Sequence, residues 1–165
     1  MVTRQIGFSA IEMLAVLAVF GILAAMAIPS YQSKIVREQI AAAIPLADTA
    51  KEPISAYRKA TEAFPENNKE AGLPDADKIV SNHIRALVVE DGVIHMTFGN
   101  NAHGLLKNKI LSIRPAVVEV SPVVPIAWVC GNAAVPDKMV VKDNNKTDIP
   151  NAYLPFGCKQ ISPKK

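Results

Sequence analysis

The N-terminal segment constrains the fold of this chain more than any other stretch. Residues 8–28 form a run of 21 residues in which every position is apolar or small except Glu12. A helix of this length is about 30 Å long, enough to cross the hydrocarbon core of a bilayer. No proline interrupts the run, and its leucine, alanine and methionine residues favour a helix. The segment is therefore predicted to be a membrane-spanning helix.

Three interpretations of this segment compete. The first is a secretory signal, with Arg4 as its cation and residues 25–27 as an Ala-x-Ala cleavage site, and the second is a plain membrane anchor. In the third, processing between Gly7 and Phe8 leaves the apolar run at the new N-terminus. Placing a carboxylate at the centre of a bilayer costs about 2.5–3.5 kcal/mol. A signal that is removed and discarded gains nothing from a residue with this cost. Because a chain that begins at Phe8 offers its α-ammonium group to Glu12, the third interpretation is favoured.

Three patterns along the chain carry a family resemblance. The first is Gly7-Phe8-Ser9-x-x-Glu12, followed by an apolar run that contains Gly21 and ends at Pro29-Ser30-Tyr31. The second is Phe64-Pro65-x-Asn67-Asn68-x-x-Ala71-Gly72-Leu73-Pro74. The third is the pair Ile126-Ala127-Trp128-x-Cys130 and Tyr153-Leu154-Pro155-x-x-Cys158. Together they resemble the class III signal, the segment after the long helix and the ends of the C-terminal disulfide loop of type IV pilins, of the type IVa kind.

The resemblance implies a processing reaction done to this chain. A prepilin peptidase would cut after Gly7 and methylate the amine of Phe8. Gly7 suits a protease cleft because glycine lets the backbone approach closely. Ser9 stands where threonine is commoner in the family.

The resemblance also implies a fold and a function. The fold expected is α+β, with a long N-terminal helix packed on an antiparallel sheet of about four strands. The function expected is a structural subunit of a type IV pilus, a homo-oligomeric helical filament that serves adhesion, twitching motility or DNA uptake. The subunit would lie in the inner membrane as a precursor and then in an extracellular filament made by the pilus assembly machinery. The alternatives are a minor pilin with a DNA- or surface-binding role and a pseudopilin of type II secretion.

Glu12 is the predicted assembly residue. We expect its carboxylate to pair with the Phe8 amine of a neighbouring subunit and so to set the register of docking. The alternative is a contact within one chain, either with Phe8 four residues away or with the N-terminal end of the helix dipole. Small residues permit close approach between such helices, and they are Ala15, Ala18, Gly21, Ala24 and Ala25.

The cysteines predict a disulfide. The chain has two, Cys130 and Cys158, and an even number in an exported protein suggests that they pair. The loop-entropy relation gives about 3.6 kcal/mol for closing a loop of this size. The alternative is two reduced thiols in a cytosolic protein. Without nearby histidines, the two do not make a zinc site.

The chain divides into six predicted segments. They are a leader (1–7), a transmembrane and filament-core helix (8–28), the second half of that helix (29–63), a helix–sheet loop (64–82), an antiparallel sheet (83–130), and a disulfide-bounded loop with its tail (131–165). Pro29, Pro45 and Pro53 each remove a helical hydrogen bond, so kinks or a local opening are expected. The alternative is two or three separate helices.

A hairpin is predicted at Asp91-Gly92, a strong two-residue turn signal. This turn pairs Val89 with Ile94, Leu87 with Met96, and Arg85 with Phe98. The apolar members share one face, which should pack on the helix. His95 falls opposite Val88 on the other face and is expected to be solvated and not to converge with His83. His103 has no evident partner.

Two more strands complete the predicted sheet. Residues 110–120 suggest a third strand, interrupted by Pro115. Residues 124–130 suggest a fourth, which Pro122 and Pro125 confine to an edge or to a late start. Trp128 is expected to pack in the core or against the disulfide.

The charges give a weaker signal. The net charge is +3, and +2 without the leader, which is too small to indicate nucleic acid. From Cys130 onward the chain contains six lysines and three aspartates. They are Lys138, Lys142, Lys146, Lys159, Lys164 and Lys165, and Asp137, Asp143 and Asp148. A contact of this loop with DNA or a surface is the functional hypothesis, and a solvated loop is the alternative. Asn145-Lys146-Thr147 matches a glycosylation sequon weakly, and the aspartate spacing fits no standard calcium loop.

No catalytic motif is present in the sequence. It contains no P-loop, no Gly-x-Ser-x-Gly, no His-Glu-x-x-His and no glycine-rich dinucleotide turn. We therefore expect neither enzymatic activity nor a cofactor.

Overall fold

The computed structural model describes residues 8–118 and 124–160. The predictions for Arg4, Gly7, Pro122 and the last two lysines lie outside these residues. The chain divides into two compact units, Met1–Ile35 and Val36–Lys165. The fold is α+β, as predicted.

The first long helix, α1, spans Ala10–Ala43. Its apolar segment is exposed on every side, and no residue from 8 to 26 is buried. By length and composition this is a helix able to cross a membrane. Pro29 lies inside α1 and does not end it.

The helix opens at Pro45, which has no amide hydrogen to donate. A 3-10 turn, Ile44–Ala47, separates α1 from α2, which spans Asp48–Thr61. Pro53 lies inside α2. The predicted local opening is thus confirmed at one of the three prolines.

Four antiparallel strands form the body of the sheet in the order β1-β2-β3-β4. They are β1 Ile84–Glu90, β2 Val93–Phe98, β3 Ile110–Val117 and β4 Ala127–Cys130. The late start of β4 agrees with the prediction from the two prolines before it. A fifth strand, β5 Val140–Val141, pairs with the end of β3 and was not predicted.

The hairpin turn lies where the sequence predicts it. Asp91 and Gly92 both have positive φ, 49° and 78°, as a type I′ turn requires. A Cβ at Gly92 would lie 2.5 Å from Cδ1 of Phe64, so the position also needs a residue without a side chain. Two predicted pairs, Val89 with Ile94 and Leu87 with Met96, are confirmed.

The third predicted pair is wrong. Phe98 pairs with Ile84, and the register shifts between Ile84 and Ala86, which leaves Arg85 in a bulge. A bulge adds one residue to a single strand, and alternation alone gives no sign of it. The apolar face survives the shift because the bulge lies before its first predicted member, Leu87.

Pro115 does not interrupt β3, contrary to the prediction. Successive residues of a strand direct their N–H groups to opposite edges, and those of Ile110 and Ser112 point away from β2. A hydrogen on the Pro115 nitrogen would therefore point to the β2 side. There β2 pairs only as far as Ile113 and β5 begins only at Ala116. The missing donor leaves no ladder partner unsatisfied.

The core of the second unit lies between the helices and one face of the sheet. It combines residues of α1 and α2 with alternate residues of β1, β2 and β3, including Val36, Ile40, Ile54, Leu87, Val89, Ile94, Met96, Phe98, Leu111 and Ile113. Trp128 is partly buried against this core, as predicted.

Asn68 fastens the loop after α2 to the outer edge of the sheet. Its Oδ1 accepts from the Val89 N–H at 2.6 Å, and its Nδ2 donates to the carbonyl oxygens of Leu87 at 3.0 Å and Pro74 at 3.1 Å. One side chain thus satisfies two backbone groups at the free edge of β1, which limits pairing with another chain there.

Candidate functional site

The start of α1 is held by a reciprocal pair of contacts. The Ser9 carbonyl accepts from the N–H groups of Glu12 and Met13, so Ser9 is the N-cap. The Ser9 hydroxyl accepts from the Ile11 N–H at 3.3 Å, and Oε2 of Glu12 accepts from the Ser9 N–H at 2.7 Å. This is a capping box, in which the side chains at the N-cap and three residues later satisfy free amides.

The capping box gives Glu12 a role within its own chain. The sequence contains the signal, Ser-x-x-Glu before an apolar run. The contacts predicted within one chain were with Phe8 or with the helix dipole, and not with the Ser9 amide. When residues 1–7 are present, the Phe8 nitrogen is part of a peptide bond and carries no charge. The Glu12 carboxylate accepts a hydrogen bond from the Ser9 N–H instead. Phe8 itself is 75 % exposed.

The helix that follows presents apolar side chains all round. Exposed large ones include Ile11, Leu14, Leu17, Phe20, Ile22, Leu23 and Met26. A helix that is apolar on every side is stable only when lipid or other helices cover it. Gly21 has no atom within 4 Å of an added Cβ, so it leaves room for a close neighbour.

The disulfide joins Cys130, at the end of β4, to Cys158, in a 3-10 turn. Next to it, the Asn132 N–H donates to the Cys158 carbonyl at 2.9 Å. Gly131 has a φ of +54°, and a Cβ there would lie 2.9 Å from that carbonyl oxygen. The predicted pairing is present, and a glycine lets the two chain segments approach.

Residues 140–148, which we call the strap, cross the face of the sheet opposite the core. The strap begins as β5, beside β3 on the β2 side. It ends at the other edge of β3, where Thr147 Oγ1 accepts from the Ser112 N–H at 3.0 Å and Asp148 Oδ1 accepts from the Ile110 N–H at 2.6 Å. The disulfide-bounded segment thus covers the outer face of the sheet and part of its edge.

A polar cluster is buried beneath the strap. His95, Ser112 and Arg114 are 3 %, 0 % and 7 % exposed. The ring nitrogen Nδ1 of His95 lies 2.9 Å from Oγ of Ser112, and the same oxygen accepts from the Lys146 N–H at 2.9 Å. Burial lowers the pKa of His95, against the opposing effect of the Glu90 carboxylate.

The prediction that His95 is solvated is therefore wrong. Its position on the outer face was correct, since it pairs with Val88. The strap that covers it comes from a segment about fifty residues later, and strand alternation gives no information about such a cover. His103 also has a partner, because its Nδ1 accepts from the Leu105 N–H at 3.3 Å.

Glu90, the last residue of β1, receives two side chains of the strap. Lys146 Nζ forms an ion pair with Oε2 of Glu90, and Asn144 Nδ2 donates to the same oxygen at 3.3 Å. The bond from Lys146 is the main reason why the pKa of Glu90 is lowered. The ion pair joins the first strand of the sheet to the strap.

Arg114 fastens the start of the disulfide-bounded segment. Its Nη2 donates to the carbonyl oxygen of Gly131 at 3.1 Å. Burial lowers the pKa of the guanidinium, and the charge of Asp143 on the strap opposes this effect. The disulfide-bounded segment is therefore attached to the outer face of the sheet by polar contacts of side chains such as Arg114.

The charges of the loop are partly neutralised within the subunit. Lys146 is held by Glu90, and Asp148 by Lys109 at 3.2 Å. The amide of Asn145, in the weak sequon, donates to the carbonyl of Gly131 and to Oδ1 of Asn132. Within residues 8–118 and 124–160, no three His, Cys, Asp or Glu side chains are placed to hold a metal ion.

Comparison with known proteins gives a consistent set of similarities. The family model described as "Pilin (bacterial filament)" matches residues 36–159. The chain is 30 % identical to the "Fimbrial protein" of Neisseria meningitidis serogroup B, over 97 % of each chain. It is 32 % identical to the "Type IV major pilin protein PilE" of Neisseria gonorrhoeae, over 95 % of each chain. It is also 36 % identical to the "Fimbrial protein" of Moraxella nonliquefaciens, over 62 % of each chain.

Proposed function

Because the chain belongs to the bacterial pilin family, we propose that it is the main structural subunit of a type IV pilus. Such a protein is structural and not an enzyme. The observation that carries the proposal is the helix that is exposed and apolar on every side, joined to a compact unit with a buried core. A helix of this kind has to be covered by lipid before assembly and by other subunits afterwards.

The proposed sequence of events begins in the inner membrane. A prepilin peptidase cleaves between Gly7 and Phe8 and methylates the new amine. Cleavage turns the amide of Phe8 into an α-ammonium group one turn before Glu12. The apolar helices then leave the bilayer, with the help of the pilus assembly machinery, and pack together in an extracellular filament.

Glu12 sets the register of this packing. A lone carboxylate among apolar helices is stabilised only by a positive partner, since breaking a buried pair costs about 3–5 kcal/mol. The new amine of Phe8 in a neighbouring subunit is such a partner. The capping box holds the carboxylate close to the start of the helix until that partner arrives.

Removing this chain from its host tests the proposal. We expect filaments sheared from wild-type cells to contain this chain as their most abundant protein, and cells without the gene to have none. A plasmid copy of the gene, as the control, restores them. Filaments that persist at the wild-type level without the chain would contradict the proposal and favour a minor pilin or a secretion pseudopilin.

A further inference from the structure

His95 is a buried titratable side chain that has no role in the filament assembly proposed above. It lies on the outer face of the sheet, covered by the strap. Its Nδ1 faces the Ser112 hydroxyl, and its Nε2 has no hydrogen-bond partner among the residues that the structure describes. The nearest carboxylate oxygen, Oε2 of Glu90, lies 3.9 Å from Nε2, too far for a hydrogen bond.

The hydroxyl of Ser112 links the strap to the ring of His95 by accepting one hydrogen bond and donating another. Its oxygen accepts from the Lys146 N–H, and its single proton has Nδ1 of His95 as an acceptor. In this arrangement Nδ1 is unprotonated, and the ring proton lies on Nε2. The Ser112 hydroxyl thus accepts from the strap and donates to a neutral imidazole, while the Nε2–H group has no partner among the residues that the structure describes.

Protonation of His95 disturbs two attachments of the strap together. A proton on Nδ1 turns the ring into a donor toward Oγ, so that the hydroxyl must turn its own proton away and accept from two donors. This weakens the bond to the Lys146 N–H. The positive Nε2–H group also competes with Lys146 Nζ for Oε2 of Glu90.

We propose that His95 is an acid-operated latch: the neutral ring holds residues 140–148 against the sheet, and its protonation releases them. This goes beyond the proposed function, since it concerns the surface of one folded subunit. The strap is suited to release because its attachments described above are mostly polar, and only its first two residues pair as β5.

The charges around the ring determine the direction of the effect. Glu90 on β1 favours the protonated ring and Lys146 on the strap opposes it; on β3, Arg114 lies two residues beyond Ser112, with Asp143 of the strap acting on it. Burial outweighs the attraction of Glu90, so the pKa of His95 lies below its usual 6.5. A released ring takes up a proton more readily than a covered one, so attachment weakens as the pH falls below about 6.5. Glu90, with a pKa below 4.5, remains ionised down to pH 5.

Hydrogen exchange of the full-length chain in detergent micelles tests the latch. Amide exchange is followed by mass spectrometry at pH 7.5 and 5.0, with labelling times scaled for the intrinsic rate at each pH. We expect peptides that cover residues 140–148 to exchange at least about twofold faster at pH 5.0, because protonation of His95 favours the released strap. Peptides from the β1–β2 hairpin should not change.

Matched histidine variants show which histidine causes the pH response of the strap. In His95→Asn the amide oxygen takes the place of Nδ1, at the same number of bonds from the backbone, and can still accept from Ser112. The side chain does not titrate, so the strap should stay protected at both pH values. His83→Asn and His103→Asn should keep the response. Slow exchange of the ring C–H hydrogens in the wild-type chain reports the pKa of each histidine and does not depend on the folding of a variant. The midpoint of strap release should coincide with that of His95.

Three results would overturn the latch. The first is equal corrected exchange of the strap at the two pH values, and the second is a response that survives in His95→Asn. The third is a midpoint that follows His83 or His103. Each can be obtained whether or not the chain forms filaments, so the proposal fails independently of the proposed function.

Discussion

Cells that carry Glu12→Gln in place of the wild-type chain should make no surface filaments while still cleaving the precursor. Glutamine keeps an oxygen that accepts from the Ser9 N–H, so the capping contact survives. It loses the charge, and an α-ammonium group placed among apolar helices without a carboxylate costs about 3–5 kcal/mol. That corresponds to at least a roughly 100-fold loss in the assembly equilibrium. Electron microscopy of sheared filaments, with an immunoblot of the membrane fraction, measures both outcomes.

Three further variants separate the charge from the cap. Glu12→Ala and Glu12→Val remove both the charge and the capping contact and should also prevent assembly. Ser9→Ala loses only the hydroxyl bond to Ile11, worth about 1 kcal/mol at a helix start, and should leave filaments in place. Normal numbers of filaments in Glu12→Gln together with their loss in Ser9→Ala would show that Glu12 serves the cap and not the register.

Loss of the disulfide should strongly destabilise the second unit. In the double variant Cys130→Ala/Cys158→Ala, the unfolded chain gains the freedom of a loop with a sequence separation of 28 residues. The loop-entropy relation gives about 3.6 kcal/mol. For a unit of this size, we expect the midpoint of thermal unfolding to fall by about 10–20 °C. Near-ultraviolet circular dichroism of the full-length chain in detergent, which reports on the packing of Trp128 against the core, measures this midpoint.

Reduction of the wild-type chain is the matched control for that variant. A reducing agent opens the same loop without changing either side chain to alanine, so both samples should unfold at similar temperatures. A fall of less than about 2 °C in either sample would contradict the prediction. It would mean that Arg114, Asp148 and the other polar attachments hold the segment without help from the covalent bond.

Local patterns predicted much of the fold. The Asp91-Gly92 turn fixed the register of β1 and β2 from Leu87 onward, because a type I′ turn admits few other pairings. The apolar run predicted the exposed helix, since its length and composition leave few other structures. Pro45 marked the one opening between α1 and α2. In each case, residues close together in sequence determine the structure.

The errors share a different cause. The bulge at Arg85 and the cover over His95 depend on contacts between segments far apart in sequence, and strand alternation has no access to them. Pro115 was misjudged because its tolerance depends on where β2 ends, which is a property of the neighbouring strand. The strap was missed because residues 140–148 are mostly polar and attach mainly through hydrogen bonds of individual side chains.

For the candidate site, the sequence identified the residues that take part but not all of the contacts that they make. Cys130 and Cys158 pair as expected. The contact of Glu12 with the Ser9 amide was missed, although the spacing of the two residues indicates a capping box. The assembly role of Glu12, the cleavage after Gly7 and the methylation of Phe8 stay predictions, since they concern states of the chain other than the one that the structure describes.

The N-terminus of the chain within purified filaments tests the central claim most directly. The claim is that the apolar helix is kept and becomes the interior of a polymer. Mass spectrometry of intact and digested filament protein should find Phe8 as the first residue, with one methyl group on its amine, and an oxidised pair of Cys130 and Cys158. A chain that begins at Ile28, after an Ala-x-Ala cleavage, or one that still carries residues 1–7, would contradict the account.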